Sequence, residues 1–488
     1  MLETRISWVF IALLFALPSL AMQYFDDTYI HARIIERFHL LGTMNFNDGQ
    51  SGKIDSSTGW VLLMGLFGAI GVQTLMAFSV MNFLVICLFT LLMLNLRSPL
   101  RWWLLLAALP YTLIASYGGM ETALVSLLML LAFVLHERSM LVTSLLLLLA
   151  SIIRVECYPL LVAVLGVGLI RRTLTVSQTL LILAIAAGFL VGELGLLGDI
   201  VPHAATAKRI GYNHPLLAQA HSILKLRLGG SLYPMAAGAL LLLLFYVAQR
   251  ACRSSVLLSV SDAYLGFAVL LLGLWVFSQS NQFEWYGCLF ATAVVLGVAG
   301  RDDWQRLGRY AAICLLVILS VAGVRDGFQL VRGFIGENLY FARVDRYIQI
   351  SRGLYAYCPS CTLMTSEVGG IGYGFKGTVL DGFGLADARA MKYHPMKVPE
   401  ERSSYATGAI PRGYIDEMDP DFIVSMPTFI EDFKRSYRYK ASYVYHCPLS
   451  LSHPDRVLWS STSIELIAKR PLPAATLMQT ACLSWKGQ

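Results

Sequence analysis

Two adjacent carboxylates, Asp26 and Asp27, follow directly on the first apolar segment of the chain. A carboxylate beside a membrane surface can serve as a general base that takes the proton from the hydroxyl group of an acceptor. The pair could also bind a divalent cation, because hard cations prefer oxygen ligands, so the sequence leaves a metal open. The plainer alternative is that both acids only cap the next helix and carry solvated charge.

Further ionisable residues occur in the short polar segments between apolar runs. Arg154 and Lys208 would suit the phosphate of a lipid-linked donor, because basic side chains bind phosphate oxygens. Each residue by itself is more often an anchor at headgroup level or one half of a local ion pair. Their predicted position on one side of a membrane favours a shared site. The candidate donor-phosphate and substrate-binding residues are Arg33, Glu121, Arg154, Glu156, His203, Lys208 and Glu367.

The composition is that of a polytopic membrane protein. Of the 488 residues, 56% are hydrophobic and 14% are charged, whereas soluble chains carry about 25% charged residues. These values exclude a disordered chain, a collagen-like fibre and an ordinary soluble enzyme. The net charge of +7 does not indicate a nucleic-acid partner, because much of the excess lies in short loops between apolar runs, where a membrane protein needs it.

Apolar runs place most of residues 1–324 in the lipid bilayer. We interpret residues 6–22 as an uncleaved signal anchor, because no convincing cleavage site precedes Gln23. The stretch 59–96 is too long for one span and short for two, so part of 59–72 is expected to be partial or interfacial. We therefore predict an all-α membrane bundle of about 11 crossings. The later runs cover 59–96, 102–116, 122–136, 139–153, 156–170, 176–197, 231–248, 260–279, 285–300 and 307–324.

Basic residues indicate the orientation of these segments. Lys and Arg concentrate in cytoplasmic loops, and five basic clusters fall on alternate loops of the predicted topology. With those loops in the cytoplasm, the N-terminus is inside, whereas the C-terminal tail and the loop 23–58 are outside. The clusters contain Arg97 and Arg101, residues 136–138, Arg171 and Arg172, Arg250 and Arg253, and residues 301–309.

The residues that follow the Asp pair have the periodicity of an amphipathic helix. Ile30, Ile34, Phe38 and Leu41 form an apolar stripe, and charged residues occupy the other faces. The pattern predicts a helix that lies on the outer membrane surface.

Residues 325–488 are predicted to form a soluble extracytoplasmic domain. They carry 19 of the 38 Lys and Arg residues and 16 of the 31 Asp and Glu residues. A helix-like stretch at 344–357 precedes short apolar runs separated by glycines and prolines, which indicates an α/β or α+β fold. These runs cover 362–365, 378–380, 422–425 and 464–468.

Four cysteines lie in this predicted domain, in a compartment that we expect to be oxidising. They favour two disulfides, whose pairing the sequence leaves open, over a zinc site. The four are Cys358, Cys361, Cys447 and Cys482.

Several segments of the chain carry a family resemblance, and they occur in the family's order along most of its length. They resemble bacterial GT-C glycosyltransferases, and the nearest group is the arabinofuranosyltransferase-like branch. The matching segments are Asp26-Asp27-Thr-Tyr-Ile-His-Ala-Arg, Ser57-Thr58-Gly59-Trp60, Gly119-Met120-Glu121-Thr122, Arg154-Val155-Glu156, Gly198-Asp199 with Pro202-His203 and Lys208, and Glu367 to Tyr373 with Asp381 to Asp387.

The resemblance implies a transferase that uses a polyprenyl-phosphate-linked sugar on the outer side of the bacterial inner membrane. An acidic residue of the first loop is the presumed base in that family, which implies Asp26 or Asp27 here, with a weak preference for Asp26. It implies a pentofuranose such as arabinofuranose as the sugar, and a glycan, a lipid-linked saccharide or an envelope protein as the acceptor. His203 in place of Asn and Val155 in place of Pro depart from the family's pattern and leave the sugar undetermined.

Two other functional classes compete with the transferase. A transporter or flippase of a lipid-linked sugar predicts charged residues deep inside spans and inverted repeats, and the sequence shows neither clearly. A sensor or assembly factor would not need paired acids at the end of the first span. In the transferase interpretation the tail covers the site and helps to select the acceptor. Glu367 and Asp381 are candidates for that task, although we expect a structural role for both.

Overall fold

The computed structural model of the protein is mostly helical. Several residues that support the predictions above, among them Arg97, Arg250, Arg253 and Cys482, lie outside the part of the chain that the structure describes. The described residues are 2–21, 24–50, 52–96, 98, 100–199, 201–213, 215–227, 237–244, 247, 259–279, 283–300, 306–332, 339–448 and 463–469.

Helices follow one another at the positions that the apolar runs predict. Short 3-10 turns lie at Leu17–Ala21, Val155–Cys157 and Glu284–Tyr286, and residues 237–244 are also helical. The other helices of the first two thirds are α1 (Leu2–Ala16), α2 (Asp26–Leu41), α3 (Thr58–Ala69), α4 (Thr74–Leu94), α5 (Arg101–Tyr117), α6 (Thr122–Leu135), α7 (Met140–Ile153), α8 (Tyr158–Ile170), α9 (Val176–Leu197), α10 (His203–Tyr212), α11 (Leu216–Arg227), α12 (Val260–Phe277), α13 (Gly287–Ala299) and α14 (Arg306–Arg332).

Four of the described helices are long and apolar enough to cross a bilayer, namely α4, α9, α12 and residues Arg309–Phe328 of α14. Further apolar helices, among them α6 and α7, are shorter than 18 residues. The count of about 11 crossings therefore stays a prediction, as does the orientation. Helix α14 also continues through the predicted domain boundary at residue 325.

The stretch 59–96 divides into two helices, α3 and α4. The 12 residues of α3 rise about 18 Å, which is less than the roughly 30 Å of a hydrocarbon core. This short helix occupies the part of the stretch for which the sequence predicts a partial crossing.

Helix α2 has the predicted position, but its surroundings differ from the prediction. Its C-terminus is closed by Gly42 in the left-handed conformation, whose N–H donates to the Phe38 carbonyl. All of residues 26–35 except Asp27 are buried, including the polar residues His31 and Arg33. A helix that lies on a membrane surface would leave its charged face open, whereas other parts of the chain pack around this half of α2.

The tail contains helix α15 (Leu339–Tyr357) and a five-stranded mixed sheet. Its strands lie in the order β2-β1-β3-β5-β4; β1 is parallel to β2 and β3, whereas β5 is antiparallel to β3 and β4. Helix α16 (Val368–Gly374) joins the first two strands, and α17 (Arg412–Met418), α18 (Glu431–Lys434) and α19 (Tyr437–Lys440) follow. The strands are β1 (Thr362–Thr365), β2 (Thr378–Asp381), β3 (Phe422–Ser425), β4 (Tyr443–Pro448) and β5 (Ser463–Ala468).

Hydrogen bonds between the Asn47 side chain and the main chain of Val379 connect the first loop to the tail. The Asn47 amide donates to the Val379 carbonyl (2.7 Å) and accepts from the Val379 N–H (2.9 Å). Because Val379 lies on edge strand β2, Asn47 satisfies part of an exposed sheet edge. Lys376 and Glu36 add an ion pair across the same contact (2.5 Å).

Disulfide bonding in the tail is present, as the cysteine pattern predicts. Cys358 and Cys361 are bonded to each other just after α15. Cys447 is also disulfide-bonded, and Cys482, the fourth cysteine of the tail, lies outside the described residues.

Candidate active site

A polar cavity lies where α2, the α5–α6 turn and α10 come together. It gathers four of the candidate residues from distant parts of the chain: Asp27, Glu121, Arg154 and Lys208. The complete lining is Asp27, Ile30, His31, Ile54, Asp55, Ser56, Met120, Glu121, Arg154, Ala204, Lys208, Trp285, Tyr286 and Leu385.

Gly118 lets α2 approach the α5–α6 turn closely enough to form this cavity. The Phe25 N–H and the Thr28 hydroxyl both donate to the Gly118 carbonyl, at 3.0 and 2.6 Å. A Cβ atom on Gly118 would lie 2.0 Å from a ring carbon of Phe25, so a larger residue does not fit. The Gly-Gly-Met-Glu segment therefore brings Glu121 into the same cavity as the first turn of α2.

Asp27 and Lys208 face each other in the cavity. The Lys208 Nζ lies 3.8 Å from the Asp27 Oδ2 and 4.7 Å from the centroid of the Phe283 ring. Burial would lower the pKa of Lys208, but Tyr286 and Asp27 outweigh it and raise the pKa above its ordinary value, so the ammonium group stays charged. A carboxylate and a cation thus stand side by side in a partly enclosed space.

Arg154 donates hydrogen bonds to the carboxylates of Glu121 and Glu156. Its Nε donates to the Glu156 Oε2 (3.1 Å), and its two terminal nitrogens donate to Glu156 and Glu121. The Ser57 hydroxyl donates to the same Glu121 oxygen (2.9 Å). Because Arg154 is 1% exposed and neutralised by two acids, it holds Glu121 in place and presents little free positive charge to the cavity.

A second acid–base pair, His31 and Asp55, lies deeper in the same wall. The His31 Nε2 donates to the Asp55 Oδ1 (3.0 Å), and the Ser57 N–H donates to that oxygen as well (2.8 Å). Burial would lower the pKa of His31, but the carboxylates of Asp55, Glu121 and Asp27 raise it to about 9. The imidazole is therefore protonated at neutral pH and carries a hydrogen on both ring nitrogens.

Asp26 belongs to a different contact. Its two carboxylate oxygens accept from the backbone N–H groups of Gly369 (2.9 Å) and Gly370 (2.7 Å), in the first turn of α16. Burial and the carboxylates of Glu367 and Asp27 raise the pKa of Asp26 to about 7, although the two N–H groups lower it. Such a pKa would suit a base, but geometry comes first, and both oxygens are engaged away from the cavity. Of the two acids, Asp27 lines the cavity and Asp26 does not.

The structure does not bring Arg33 into the cavity. Its guanidinium donates to the carbonyls of Gly372, Phe375 and Gly377, and its Nε donates to the carbonyl of Phe46 (2.8 Å). These bonds join α2 to the tail and use the donors that a phosphate would need. The Arg33 guanidinium is therefore occupied by main-chain carbonyls from distant segments.

The remaining candidates also lie outside the cavity lining. Glu367 accepts from the Arg343 guanidinium and the Tyr347 hydroxyl, both at 2.7 Å. His203 contacts Asp199 at 3.1 Å through its ring, and Glu156 reaches the cavity only through Arg154. These side chains support neighbouring elements.

The tail covers one side of the cavity through Leu385. The loop that carries it is held by Asp381, whose carboxylate accepts from the N–H groups of Phe383 (2.9 Å) and Ala386 (2.7 Å). Sequence reasoning missed Leu385, since its signal lies in a contact between distant segments. It also missed Asp55 and His31, although the four-residue spacing from Asp27 places His31 one turn further on the same helix.

The described side chains around the cavity do not form a group of metal ligands. Among the described residues, no group of three or more His, Cys, Asp or Glu side chains has a geometry that could hold a metal ion. Asp26, one half of the pair for which a cation was considered, is occupied by main-chain donors.

The fold is shared with two solved structures of ArnT from Cupriavidus metallidurans. The apo structure is 12% identical, with a TM-score of 0.52 over 95% of this chain and 97% of that chain. The structure bound to undecaprenyl phosphate is 11% identical, with a TM-score of 0.52 over 97% of this chain and 98% of that chain. No family model matches the sequence. No curated protein matches it either.

This likeness extends over nearly the whole length of both chains. At 11–12% identity it shows the fold alone, and neither the arabinofuranosyltransferase branch nor the sugar follows from it.

Proposed function

We propose that this protein is a membrane glycosyltransferase that moves a sugar from a polyprenyl-phosphate carrier to a hydroxyl group of an acceptor. The observation that carries the proposal is the Asp27–Lys208 pair in a polar cavity, within a fold shared with ArnT. The ArnT structure with undecaprenyl phosphate supports a lipid-linked donor. The site lies on the outer side of the inner membrane in the orientation that the basic loops predict.

Asp27 is the general base in this proposal. Its carboxylate takes the proton of the acceptor hydroxyl while the acceptor oxygen forms a bond to the anomeric carbon of the sugar. The bond between that carbon and the phosphate oxygen breaks, and the polyprenyl phosphate leaves with the bonding electrons. Asp27 is better placed than Asp26 because it lines the cavity and keeps its carboxylate beside a cation.

Lys208 stabilises the leaving phosphate. Its ammonium group is the cavity cation with the loosest described partner, the Asp27 oxygen at 3.8 Å. Arg154, in contrast, is saturated by Glu121 and Glu156. A positive charge positioned where negative charge develops lowers the barrier to transfer.

The finer assignments follow from the sequence resemblance. We propose a pentofuranose, such as arabinofuranose, as the sugar and a glycan, a lipid-linked saccharide or an envelope protein as the acceptor. Residues of the tail, of which Leu385 lines the cavity, would limit which acceptors reach Asp27.

The decisive experiment measures release of polyprenyl phosphate by purified protein in detergent with added lipid. A short-chain polyprenyl-phosphate pentose is offered with a panel of acceptors. We expect release by the wild type and a loss on the order of 100-fold or more in Asp27→Asn, as is typical for removal of a general base.

Asp48→Asn is the matched control, because Asp48 is a carboxylate of the same loop whose side chain is 84% exposed. It should retain the wild-type rate. Full activity of Asp27→Asn would refute the base assignment. Movement of the donor between liposome leaflets with no release from any donor would instead favour a flippase.

A further inference from the structure

We infer that the inner wall of the cavity is a built subsite for the hydroxyl groups of the transferred sugar, formed by Asp55, Glu121, His31 and Trp285. The inference rests on the proposed function and concerns specificity within the same cavity. None of these four residues is needed for the proton transfer or for stabilisation of the phosphate described above.

Each of the two carboxylates has one oxygen fixed and one left over. The Asp55 Oδ1 is held by His31 and the Ser57 N–H, and the Glu121 Oε1 is held by Arg154 and the Ser57 hydroxyl. The second oxygens, Asp55 Oδ2 and Glu121 Oε2, are buried and receive no hydrogen bond from the described residues. The carboxylates are thus oriented by the protein while half of their accepting capacity stays unused.

Two ring N–H groups of the same wall are also buried without a hydrogen-bond partner among the described residues. They are His31 Nδ1 and Trp285 Nε1. The two residues are 5% and 3% exposed, and both line the cavity. Buried polar atoms are nearly always paired in folded proteins, so four such atoms in one wall point to a ligand that pairs with them.

The mixture of donors and acceptors identifies the chemistry of that ligand. Two carboxylate oxygens require groups that donate, and two N–H groups require groups that accept. Hydroxyl groups do both, whereas a phosphate diester has no donor and would be repelled by Asp55 and Glu121. A polyhydroxylated sugar fits this wall, and the phosphate fits the opposite Lys208.

Glu121→Gln tests the subsite with little change of shape. Arg154 and the Ser57 hydroxyl both donate to Oε1, so the amide oxygen must take that position and the amide nitrogen replaces Oε2. An acceptor facing the sugar thereby becomes a donor. Glu156→Gln is the matched control, because Glu156 also binds Arg154 but lies outside the cavity lining.

The measurement is the ratio of two affinities, for polyprenyl phosphate with and without its sugar, which needs no turnover. The wild type and Glu156→Gln should prefer the sugar-bearing ligand. Glu121→Gln should lose that preference by on the order of 10-fold or more and should bind bare polyprenyl phosphate as the wild type does. An unchanged preference, or an equal loss for both ligands, would overturn the inference.

A pair of His31 variants gives an independent check. In His31→Gln, the amide nitrogen can replace Nε2 and donate to Asp55, but no group replaces Nδ1. In His31→Asn, the amide nitrogen can replace Nδ1, but the contact with Asp55 is lost. His31→Gln should therefore lose more of the preference for the sugar-bearing ligand than His31→Asn does, whereas His31→Asn should have the lower melting temperature of the two. A preference that falls only in step with the melting temperature would show that His31 is merely structural.

The outcomes separate this inference from the proposed function. A protein that releases polyprenyl phosphate but whose preference ignores Glu121→Gln contradicts the subsite alone. A protein that shows the preference and its loss in Glu121→Gln, yet transfers nothing, contradicts the transferase alone. Failure of the wild type to distinguish the two ligands refutes the subsite whatever its activity.

Discussion

Replacing Asp26 and Asp27 one at a time separates a structural carboxylate from a catalytic one. Asp26→Ala removes the acceptor of two N–H groups in the first turn of α16, those of Gly369 and Gly370. A buried donor left without a partner costs about 1–3 kcal/mol, so the contact between α2 and α16 should weaken by about 2–6 kcal/mol. Asp27→Ala removes no such bond and should leave this contact intact.

Hydrogen–deuterium exchange of the peptide that spans 366–376 measures the effect directly. A loss near the lower bound of 2 kcal/mol corresponds to roughly 30-fold faster exchange where local opening controls the rate. We expect this acceleration in Asp26→Ala and wild-type exchange in Asp27→Ala. Release of polyprenyl phosphate should follow a different order, with the larger loss in Asp27→Ala.

The reasoning fails in either of two ways. If Asp26→Ala exchanges like the wild type and is inactive, Asp26 acts in the chemistry and the capping argument is wrong. If Asp27→Ala is fully active, no base is needed at that position. Asp26→Asn refines the result, because its amide keeps one acceptor oxygen for the two donors and should give an intermediate rate of exchange.

Three further perturbations follow from buried contacts. Lys53→Met leaves the carboxylate of Glu193, its ion-pair partner at 2.8 Å, buried without a cation, which should cost about 3–5 kcal/mol of stability. The melting temperature should fall in this variant and recover in the double variant with Glu193→Met. A double variant that does not recover would contradict the pairing. Gly369→Ala places a Cβ 1.8 Å from the carbonyl oxygen of Asp26 and should accelerate exchange of the 366–376 peptide, whereas unchanged exchange would show that the contact yields. The pKa of His31 in the folded protein is raised to about 9. The protonated imidazole therefore stabilises the folded state fully below pH 6.5, and this contribution is lost as the pH rises through 9. The melting temperature of the wild type should fall over this range, and that of His31→Gln should fall less.

Much of the local structure was predictable because local patterns produce it. Apolar runs gave the positions of helices such as α4 and α9, and short apolar runs gave four of the five strands of the sheet. Strand β4 (Tyr443–Pro448) was missed, since its sequence Tyr-Val-Tyr-His-Cys-Pro contains a single aliphatic residue and ends in proline. The number of crossings and the orientation depend on a bilayer and stay predictions.

The candidate site was predictable as a set of segments and not as a set of roles. Glu121, Arg154 and Lys208 were chosen from short polar segments, and the structure places all three in one cavity with Asp27. Arg33 was chosen by the same reasoning, yet it binds main-chain carbonyls of the tail. A charged residue in a polar segment looks the same in both cases, because its partners lie hundreds of residues away.

The sequence by itself determined that this is a largely helical membrane protein with an acidic pair after its first apolar segment. Those properties follow from composition and short-range periodicity, which act on neighbouring residues. The tertiary structure alone decided which acid faces the cavity. Asp26 and Asp27 are adjacent on a helix and therefore point about 100° apart, and only the packing of α16 and α10 against α2 makes one a cap and the other the partner of Lys208.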